Sequence, residues 1–481
     1  MDYRILVLAL SLAICVPFVF LRRRIQTSTA DKLLKALAIV VFLVAMGRCF
    51  MNDNFIWVIN GGVYGEHYYK VSDVLQSILR WFMFASYTIY ICAVFFENRT
   101  MRNFAIYACL PMNLVSVFFY DDFMAYFLQD SGRAFYIAAP WRHAIFCFEL
   151  VLLIILPVLL MIFKGHYFAV KDKKEWFAFF GLLPLAMLAC MPVTLPQSLF
   201  GFTTLFMTHF SLQHFAWIAL IFGTYAIMHF ALRYKSKEVR TMVCYFVSIY
   251  LFLHYNSIYL MDLNLSRLPF QLCNLASYMV LIALIIRKKP FFDFILMANV
   301  PGTLIAICLP DINSGMLSYW NIHFYLEHSW VFIVPLLMVS LRIMDRPSKH
   351  MFRHFLIGFC IYFVFCATAG ILINAYLYVP NHPILNKVNY FYLFNDTVLE
   401  AAPFLGFTRK IPLTINGYTC YPVYMGLIFL GYIAICFACY YVYTKLIKIG
   451  DDHANLRKIR IGLLKEKGFY KKHTPPTEYV D

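Results

Sequence analysis

The sequence predicts an all-α membrane protein, a polytopic bundle of about 13 transmembrane helices arranged as two parallel six-helix repeats plus one extra helix. Of 481 residues, 62% are hydrophobic and only 14% are charged, and the mean hydropathy is +0.69. A soluble domain carries roughly 25% charged residues. Because the chain has about half of that, it cannot cover a water-facing surface. Soluble, disordered, coiled-coil and disulfide-rich secreted classes are therefore excluded.

The apolar segments give the positions of the individual helices. A span needs about 20 mainly apolar residues to cross ~30 Å of hydrocarbon. The predicted spans are 4–21, 33–51, 76–96, 103–120, 143–163, 176–196, 211–232, 240–261, 268–286, 291–310, 323–341, 353–378 and 422–444. The first segment could pass for a signal peptide, but Arg22, Arg23 and Arg24 follow it and only Arg4 precedes it. That order favours a retained span whose N-terminus lies outside.

The basic residues predict the orientation in the membrane. The net charge is +16, and 30 of the 41 Lys and Arg residues fall in seven segments on one side of the predicted bundle. By the positive-inside rule that side is cytoplasmic. We therefore predict a multi-pass protein of the cell membrane with the N-terminus outside and the C-terminus inside. The basic loops also attract anionic lipid headgroups, and the sequence contains no nucleic-acid-binding motif.

An internal duplication predicts three regions: an N-terminal scaffolding repeat at 1–200, a C-terminal repeat with the last span at 205–447, and a basic cytoplasmic tail at 448–481. Three pairs of features recur in the same order. They are Ala85-Ser86-Tyr87 with Ala276-Ser277-Tyr278, Pro111 and Asp121 with Pro301 and Asp311, and Glu149 and Pro157 with Glu327 and Pro335. Because both halves start outside and hold six spans, the repeats would be related by an axis along the membrane normal.

The two halves differ where chemistry is expected. Cys273 lies three residues before the second Ala-Ser-Tyr, where the first half has Phe82. His328 follows Glu327 directly, where the first half has Leu150 after its glutamate. One half therefore carries a thiol and an imidazole at positions where the other carries packing residues.

The thiol and the imidazole suggest covalent catalysis. Cys273 and His328 each lie about five residues inside a predicted helix that enters from outside, at a depth of ~7–8 Å. A thiolate is a strong nucleophile, and a nearby imidazole can take its proton and later protonate a leaving group. The supporting polar residues around this predicted site are Asn274, Gln271, Asp311, Glu327, His323 and Asn389. Asp311 or Glu327 would orient the imidazole, and an amide of Asn274 or Gln271 would donate to the oxyanion.

Non-catalytic interpretations remain open for the same residues. A buried cysteine is commonly a packing residue, and a histidine in a span can cap a helix or bond within the core. A metal site is disfavoured because His323 and His328 are five residues apart, which turns them about 140° away from each other on a helix. We predict no metal and no soluble cofactor.

The loop at 379–421 is long for a compact fold. Such loops often act as lids or binding loops. It contains Asn381, Asn386, Asn389, Asn395, Tyr390, Phe391, Tyr392 and Phe394. Its aromatic content predicts an ordered segment.

The motifs around these residues resemble a known membrane family. They are Leu268-Pro269-Phe270-Gln271-Leu272-Cys273-Asn274-Leu275, Pro301 to Ala306 followed by Pro310-Asp311, His323 to His328 before Val334-Pro335, and Asn386 with Asn389-Tyr390. As a set they resemble the YwaF-like integral membrane family of bacteria, which is related to the animal transmembrane protein 164 family. The resemblance covers about residues 210–445.

The resemblance implies a lipid acyltransferase. Animal members of the family are understood to place a fatty acyl chain on a lysophospholipid through a cysteine acyl intermediate, and that cysteine aligns with Cys273. The family histidine aligns with His328. Asn274 stands where the animal motif has a histidine, which leaves the base to His328. The expected partners are membrane lipids and a small-molecule or acyl substrate from the outer leaflet.

Two other functions stay open at this point. Parallel repeats, midmembrane prolines and intramembrane Asp and His residues also fit a transporter of lipids or small solutes. A non-catalytic membrane scaffold is favoured if the polar residues prove dispersed. Cys273 distinguishes the acyltransferase from the transporter, because an enzyme of this kind needs the thiol and a carrier does not.

Overall fold

The computed structural model describes most of the chain, and it is helical. The described residues are 2–48, 71–128, 138–165, 168, 171–190, 207–259, 264–310, 315–317, 319–347, 350–382, 384–395, 398–399 and 402–466. The α-helices in them are α1 (Tyr3–Leu21), α2 (Thr27–Arg48), α3 (Val71–Phe95), α4 (Arg99–Phe104), α5 (Leu110–Phe118), α6 (Tyr120–Leu128), α7 (Ala139–Lys164), α8 (Lys173–Cys190), α9 (Leu212–Leu232), α10 (Lys237–Tyr259), α11 (Leu272–Ile286), α12 (Lys289–Cys308), α13 (Tyr319–Ser340), α14 (Met351–Leu372) and α15 (Pro422–Glu466).

The predicted membrane-helix fold is confirmed. Each of the thirteen predicted segments is occupied by helix, and α6 is an additional short helix. Within the described residues, eight helices are long and apolar enough to cross a membrane, and α11 is a shorter apolar helix. The number of crossings and the repeat symmetry stay predictions.

Local sequence explains where several helices begin and end. Asp2 caps α1, since its carboxylate accepts a hydrogen bond from the backbone N–H of Arg4. Pro140 lies in the first turn of α7, where a backbone N–H would have no intrahelical acceptor. Gly165, with a φ of 71°, is the C-cap residue that follows the last residue of α7. A π-helical turn at Ala105–Cys109 joins α4 to α5, and a second one at Ile373–Leu377 extends α14.

The chain divides into two compact units. The first unit comprises Met1–His214, Tyr245–Leu263 and Asp311–Glu327. The second unit comprises Phe215–Cys244, Asn264–Pro310 and His328–Asp481. The predicted regions at 1–200, 205–447 and 448–481 stay a prediction. Helix α15 continues past the predicted end of the last span to Glu466.

Each unit is built around one or two central helices. In the first unit α1, α2, α3 and α5 pack on α7, whose residues from Glu149 to Pro157 are all buried. In the second unit α12 packs against α11, α14 and α15. The cysteines whose side chains the structure describes are free thiols.

The loop at 379–421 belongs to the second unit, and its described part is ordered, as predicted. It contains a 3₁₀ turn at Tyr390–Tyr392, a 3₁₀ segment at Pro403–Lys410 and an antiparallel hairpin that pairs Leu413–Ile415 with Tyr418–Cys420. Asn374, in the π-helical turn after α14, fixes the loop by donating to the carbonyl of Val388 at 3.0 Å and accepting from its N–H at 2.8 Å.

Candidate active site

Cys273 is the second residue of α11. The helix begins at Leu272, four residues later than predicted, because Pro269 favours an extended conformation at Leu268. Gln271 is the N-cap residue and is also extended, and it makes no side-chain capping bond to the helix. The first backbone N–H groups of a helix lack intrahelical acceptors and favour negative charge nearby. A thiol at this position therefore lies where its thiolate would be stabilised.

The thiol has a defined polar environment. Cys273 is partly exposed, and its Sγ lies 3.3 Å from Oδ1 of Asn274. The hydroxyls of Tyr362 on α14 and Tyr432 on α15 are close enough to interact with the thiol electrostatically.

Gly302, in the motif from Pro301 to Ala306, lies against the side chain of Leu272 at the start of α11. A Cβ placed on Gly302 of α12 would lie 3.5 Å from Cδ2 of Leu272 and 2.5 Å from the hydroxyl oxygen of Tyr432. That hydroxyl donates to the carbonyl of Ala298 at 2.5 Å. A Cβ at position 302 would therefore require the side chain of Tyr432 to move.

The predicted residues Gln271 and Asn389 are brought together, and they join the 379–421 loop to the start of α11. Nε2 of Gln271 donates to the backbone carbonyl of Asn389 at 2.5 Å, and Oε1 accepts from the N–H of Phe391 at 2.9 Å. Tyr390 donates its hydroxyl to the carbonyl of Leu265 at 2.5 Å. Burial raises the pKa of Tyr390, so this phenol stays a donor at neutral pH.

The loop places an aromatic side chain between α14 and α15. The ring of Phe391 lies 5.5 Å from that of Phe359, 5.6 Å from Tyr362 and 5.2 Å from Tyr432, all in edge-to-face geometry. Phe391 and Tyr392 both have left-handed backbones, with φ of 53° and 56°. This conformation is strained for a bulky residue and persists only where the surroundings enforce it. The aromatic contacts and the bonds from Gln271 provide that support.

His328 is buried in α13, in the same unit as Cys273. The two residues do not occupy equivalent places in their helices, and that part of the prediction is wrong. Cys273 follows one residue after the start of α11, whereas His328 follows nine residues after the start of α13. The difference arises because α11 starts later than predicted and α13 starts earlier. The pairing of this thiol with this imidazole stays a prediction.

His323 and Glu327 lie in the first unit. Nε2 of His323 is 3.5 Å from Oε2 of Glu327, and Nδ1 of His323 is 3.0 Å from Nε2 of His254. Among the described residues, no group of three or more His, Cys, Asp or Glu side chains could hold a metal ion. Asp311 lies outside the described residues.

Comparison with known proteins identifies the second half of the chain. The model of the TMEM164 family matches residues 209–443. This match is consistent with a TMEM164-related membrane protein. The predicted resemblance to the transmembrane protein 164 family is therefore confirmed, over nearly the predicted extent. No curated protein and no solved structure matches the chain.

The sequence analysis did not predict several polar residues that the structure brings together. His254 and Tyr250 were missed because they lie four apart on α10 with no acidic neighbour in sequence. In the second unit the buried carboxylate of Asp293 pairs with Lys289 and accepts from Nδ1 of His354 at 2.7 Å. The spacing of Lys289 and Asp293, one helical turn apart, was a signal that could have revealed this cluster.

Proposed function

We propose that this protein is a membrane-embedded lipid acyltransferase that forms a thioester on Cys273. The family match and the acyl chemistry that the resemblance implies support this proposal. The observation that carries it is the position of the thiol in the first turn of α11, beside helix N–H groups that are not capped by a side chain.

The first half-reaction transfers the acyl group to the enzyme. His328 takes the proton of the Cys273 thiol, and the thiolate attacks the carbonyl carbon of a lipid acyl ester. A C–S bond forms, the ester C–O bond breaks, and the imidazolium gives its proton to the departing alkoxide. The backbone N–H groups of the first turn and the side-chain amide of Asn274 stabilise the oxyanion. The amide of Gln271 is already bonded to the loop.

The second half-reaction transfers the acyl group to an acceptor. A lysophospholipid hydroxyl gives its proton to His328 and attacks the thioester carbonyl. A C–O bond forms, the C–S bond breaks, and the thiolate recovers the proton from the imidazolium. No electron transfer and no cofactor are needed.

The loop gives the site its expected access route. Because Gln271, two residues before Cys273, bonds to Asn389 and Phe391, the loop is held at the start of the helix that carries the thiol. An acyl chain is apolar and would pack well against the rings of Phe391, Tyr362 and Phe359. The substrate would therefore be a membrane lipid entering from the outer leaflet.

The test is acyl transfer by purified protein in liposomes that contain a phospholipid donor and a labelled lysophospholipid. We expect wild-type protein to acylate the acceptor, and Cys273→Ala and Cys273→Ser to lose this activity. Cys360→Ala is the matched control, because Cys360 is a partly exposed thiol on α14. Full transfer by Cys273→Ala would contradict the proposal and favour a carrier.

A further inference from the structure

A second set of polar side chains lies in the first unit and plays no part in the thioester chemistry. Tyr250 and His254 on α10 meet His323 and Glu327 on α13. Each of the four residues is at least 95% buried. Burying an imidazole pair and a carboxylate is costly unless they bond to each other or serve a function.

The four side chains form one continuous series of contacts. The hydroxyl of Tyr250 lies 3.2 Å from Nδ1 of His254. Nε2 of His254 lies 3.0 Å from Nδ1 of His323, and Nε2 of His323 lies 3.5 Å from Oε2 of Glu327. Both nitrogens of both rings are therefore used, and the imidazole–carboxylate contact is the longest.

The donors and acceptors of this series fit together in two opposite ways. In one, the Tyr250 phenol donates to His254, which donates through Nε2 to His323, which donates through Nε2 to the Glu327 carboxylate. In the other, the series holds one more proton: Glu327 is a neutral acid that donates to Nε2 of His323, His323 donates through Nδ1 to His254, and His254 donates through Nδ1 to the oxygen of Tyr250. Neutral imidazole has one donor and one acceptor nitrogen, so each ring can change from one state to the other by exchanging tautomers.

The carboxylate has one oxygen outside this series. Oε1 of Glu327 is buried and has no hydrogen-bond partner within the described residues. Other titratable groups near these residues in the same unit are Tyr255, next to His254 on α10, and Tyr325 on α13, whose ring lies 6.5 Å from that of His214. The unit also buries the guanidinium groups of Arg80 and Arg142.

We propose that Tyr250, His254, His323 and Glu327 form a relay that binds and passes one proton. A proton that enters at the Tyr250 hydroxyl replaces the phenolic proton that passes to Nδ1 of His254. His254 then passes its Nε2 proton to Nδ1 of His323, and His323 passes its Nε2 proton to Oε2 of Glu327. The neutral carboxyl of Glu327 releases that proton and becomes a carboxylate again. Each O–H or N–H bond that breaks along the series is matched by one that forms on the neighbouring atom. The ligand of this site is the proton, and the site functions independently of Cys273.

The first half of the chain offers a matched control. Glu149 is the counterpart of Glu327 in the predicted repeat and is equally buried, and its carboxylate accepts a hydrogen bond from the hydroxyl of Tyr87. Removing its charge tests the effect of losing a buried carboxylate on α7 while leaving the contacts of the two histidines in place.

The experiment is nitrogen NMR of ¹⁵N-histidine-labelled full-length protein in lipid nanodiscs across a pH series, with His254→Gln and His323→Gln for assignment. We expect the ring signals of His254 and His323 to change together in one shared titration. Glu327→Gln should abolish this joint change, and Glu149→Gln should leave it intact. Tyr250→Phe removes only a hydroxyl and should change the balance between the two tautomers of His254. This variant provides a second test if Glu327→Gln does not fold. Independent titration of the two rings, or a joint change that survives in folded Glu327→Gln, would overturn the proposal.

Discussion

The N–H of Phe391 donates to Oε1 of Gln271 at 2.9 Å, so the residue before the first turn of α11 holds the 379–421 loop. The same side chain donates to the carbonyl of Asn389 through Nε2. One amide thus satisfies two backbone groups of a segment with a left-handed, strained backbone. The position of the loop and the environment of Cys273 are therefore linked.

Gln271→Leu should loosen the loop without unfolding the protein. It leaves the largely buried N–H of Phe391 without its acceptor, which costs about 1–3 kcal/mol. Amide hydrogen exchange should become faster at residues 388–394 and stay unchanged in α7. Gln213→Leu on α9 is the control. Unchanged protection of the loop in Gln271→Leu would show that the two bonds do not hold it.

Gly370→Ala should displace the loop at a second point. A Cβ on Gly370 would lie 2.0 Å from Cε2 of Phe394. Because the ring must move, the substitution should cost about 1–3 kcal/mol and lower the thermal midpoint. Gly426→Ala on α15 is the matched control, since its Cβ would meet nothing within 4 Å. Equal midpoints for the two variants would contradict the close approach of Phe394 to α14.

Gly302→Ala should impair acyl transfer indirectly, by displacing residues near Cys273. Its Cβ would lie 2.5 Å from the hydroxyl oxygen of Tyr432, so the side chain of Tyr432 would have to move. A displacement of about 1 Å near reacting groups can lower a rate roughly a hundredfold. The double variant Gly302→Ala/Tyr432→Phe removes the clashing oxygen and should recover activity. Gly431→Ala serves as the control, and a double variant as impaired as the single one would argue against this packing.

The thiol of Cys420 should react slowly with alkylating reagents. Cys420 ends the hairpin beside the last span and is 3% exposed, and burial raises its pKa. The folded state therefore favours the neutral thiol. Its contribution to the free energy of unfolding is present below the ordinary thiol pKa of about 8.5, and it is lost as the pH rises through the higher pKa of the folded state. Iodoacetamide labelling followed by peptide mass spectrometry should show slow modification at pH 8 that increases above pH 9. Rapid labelling at pH 7 in folded protein would refute the prediction.

The helices could be predicted from the sequence because hydrophobic length is a strong local signal. Every predicted span contains helix, and even the late start of α11 has a local cause in Pro269. The expected position of Cys273, about five residues inside its helix, was wrong for that reason: the apolar run includes Leu268 and Phe270, although the helix begins only at Leu272.

The contacts of the site could not be read from the sequence. Gln271 stood out because it neighbours Cys273, but its bonds reach residues more than a hundred positions away. The same holds for His254 and His323, which are 69 residues apart. Such pairs depend on how helices pack, and composition and periodicity carry no information about them.

The central claim is that Cys273 carries the acyl group between donor and acceptor. The most direct measurement is mass spectrometry of peptides from purified protein that has been incubated with a phospholipid donor and quenched without acceptor. The account predicts an acyl mass on the peptide containing Cys273, removed by neutral hydroxylamine and absent from Cys273→Ala. An acyl group on another residue, or transfer to lysophospholipid with no acyl group on Cys273, would contradict it.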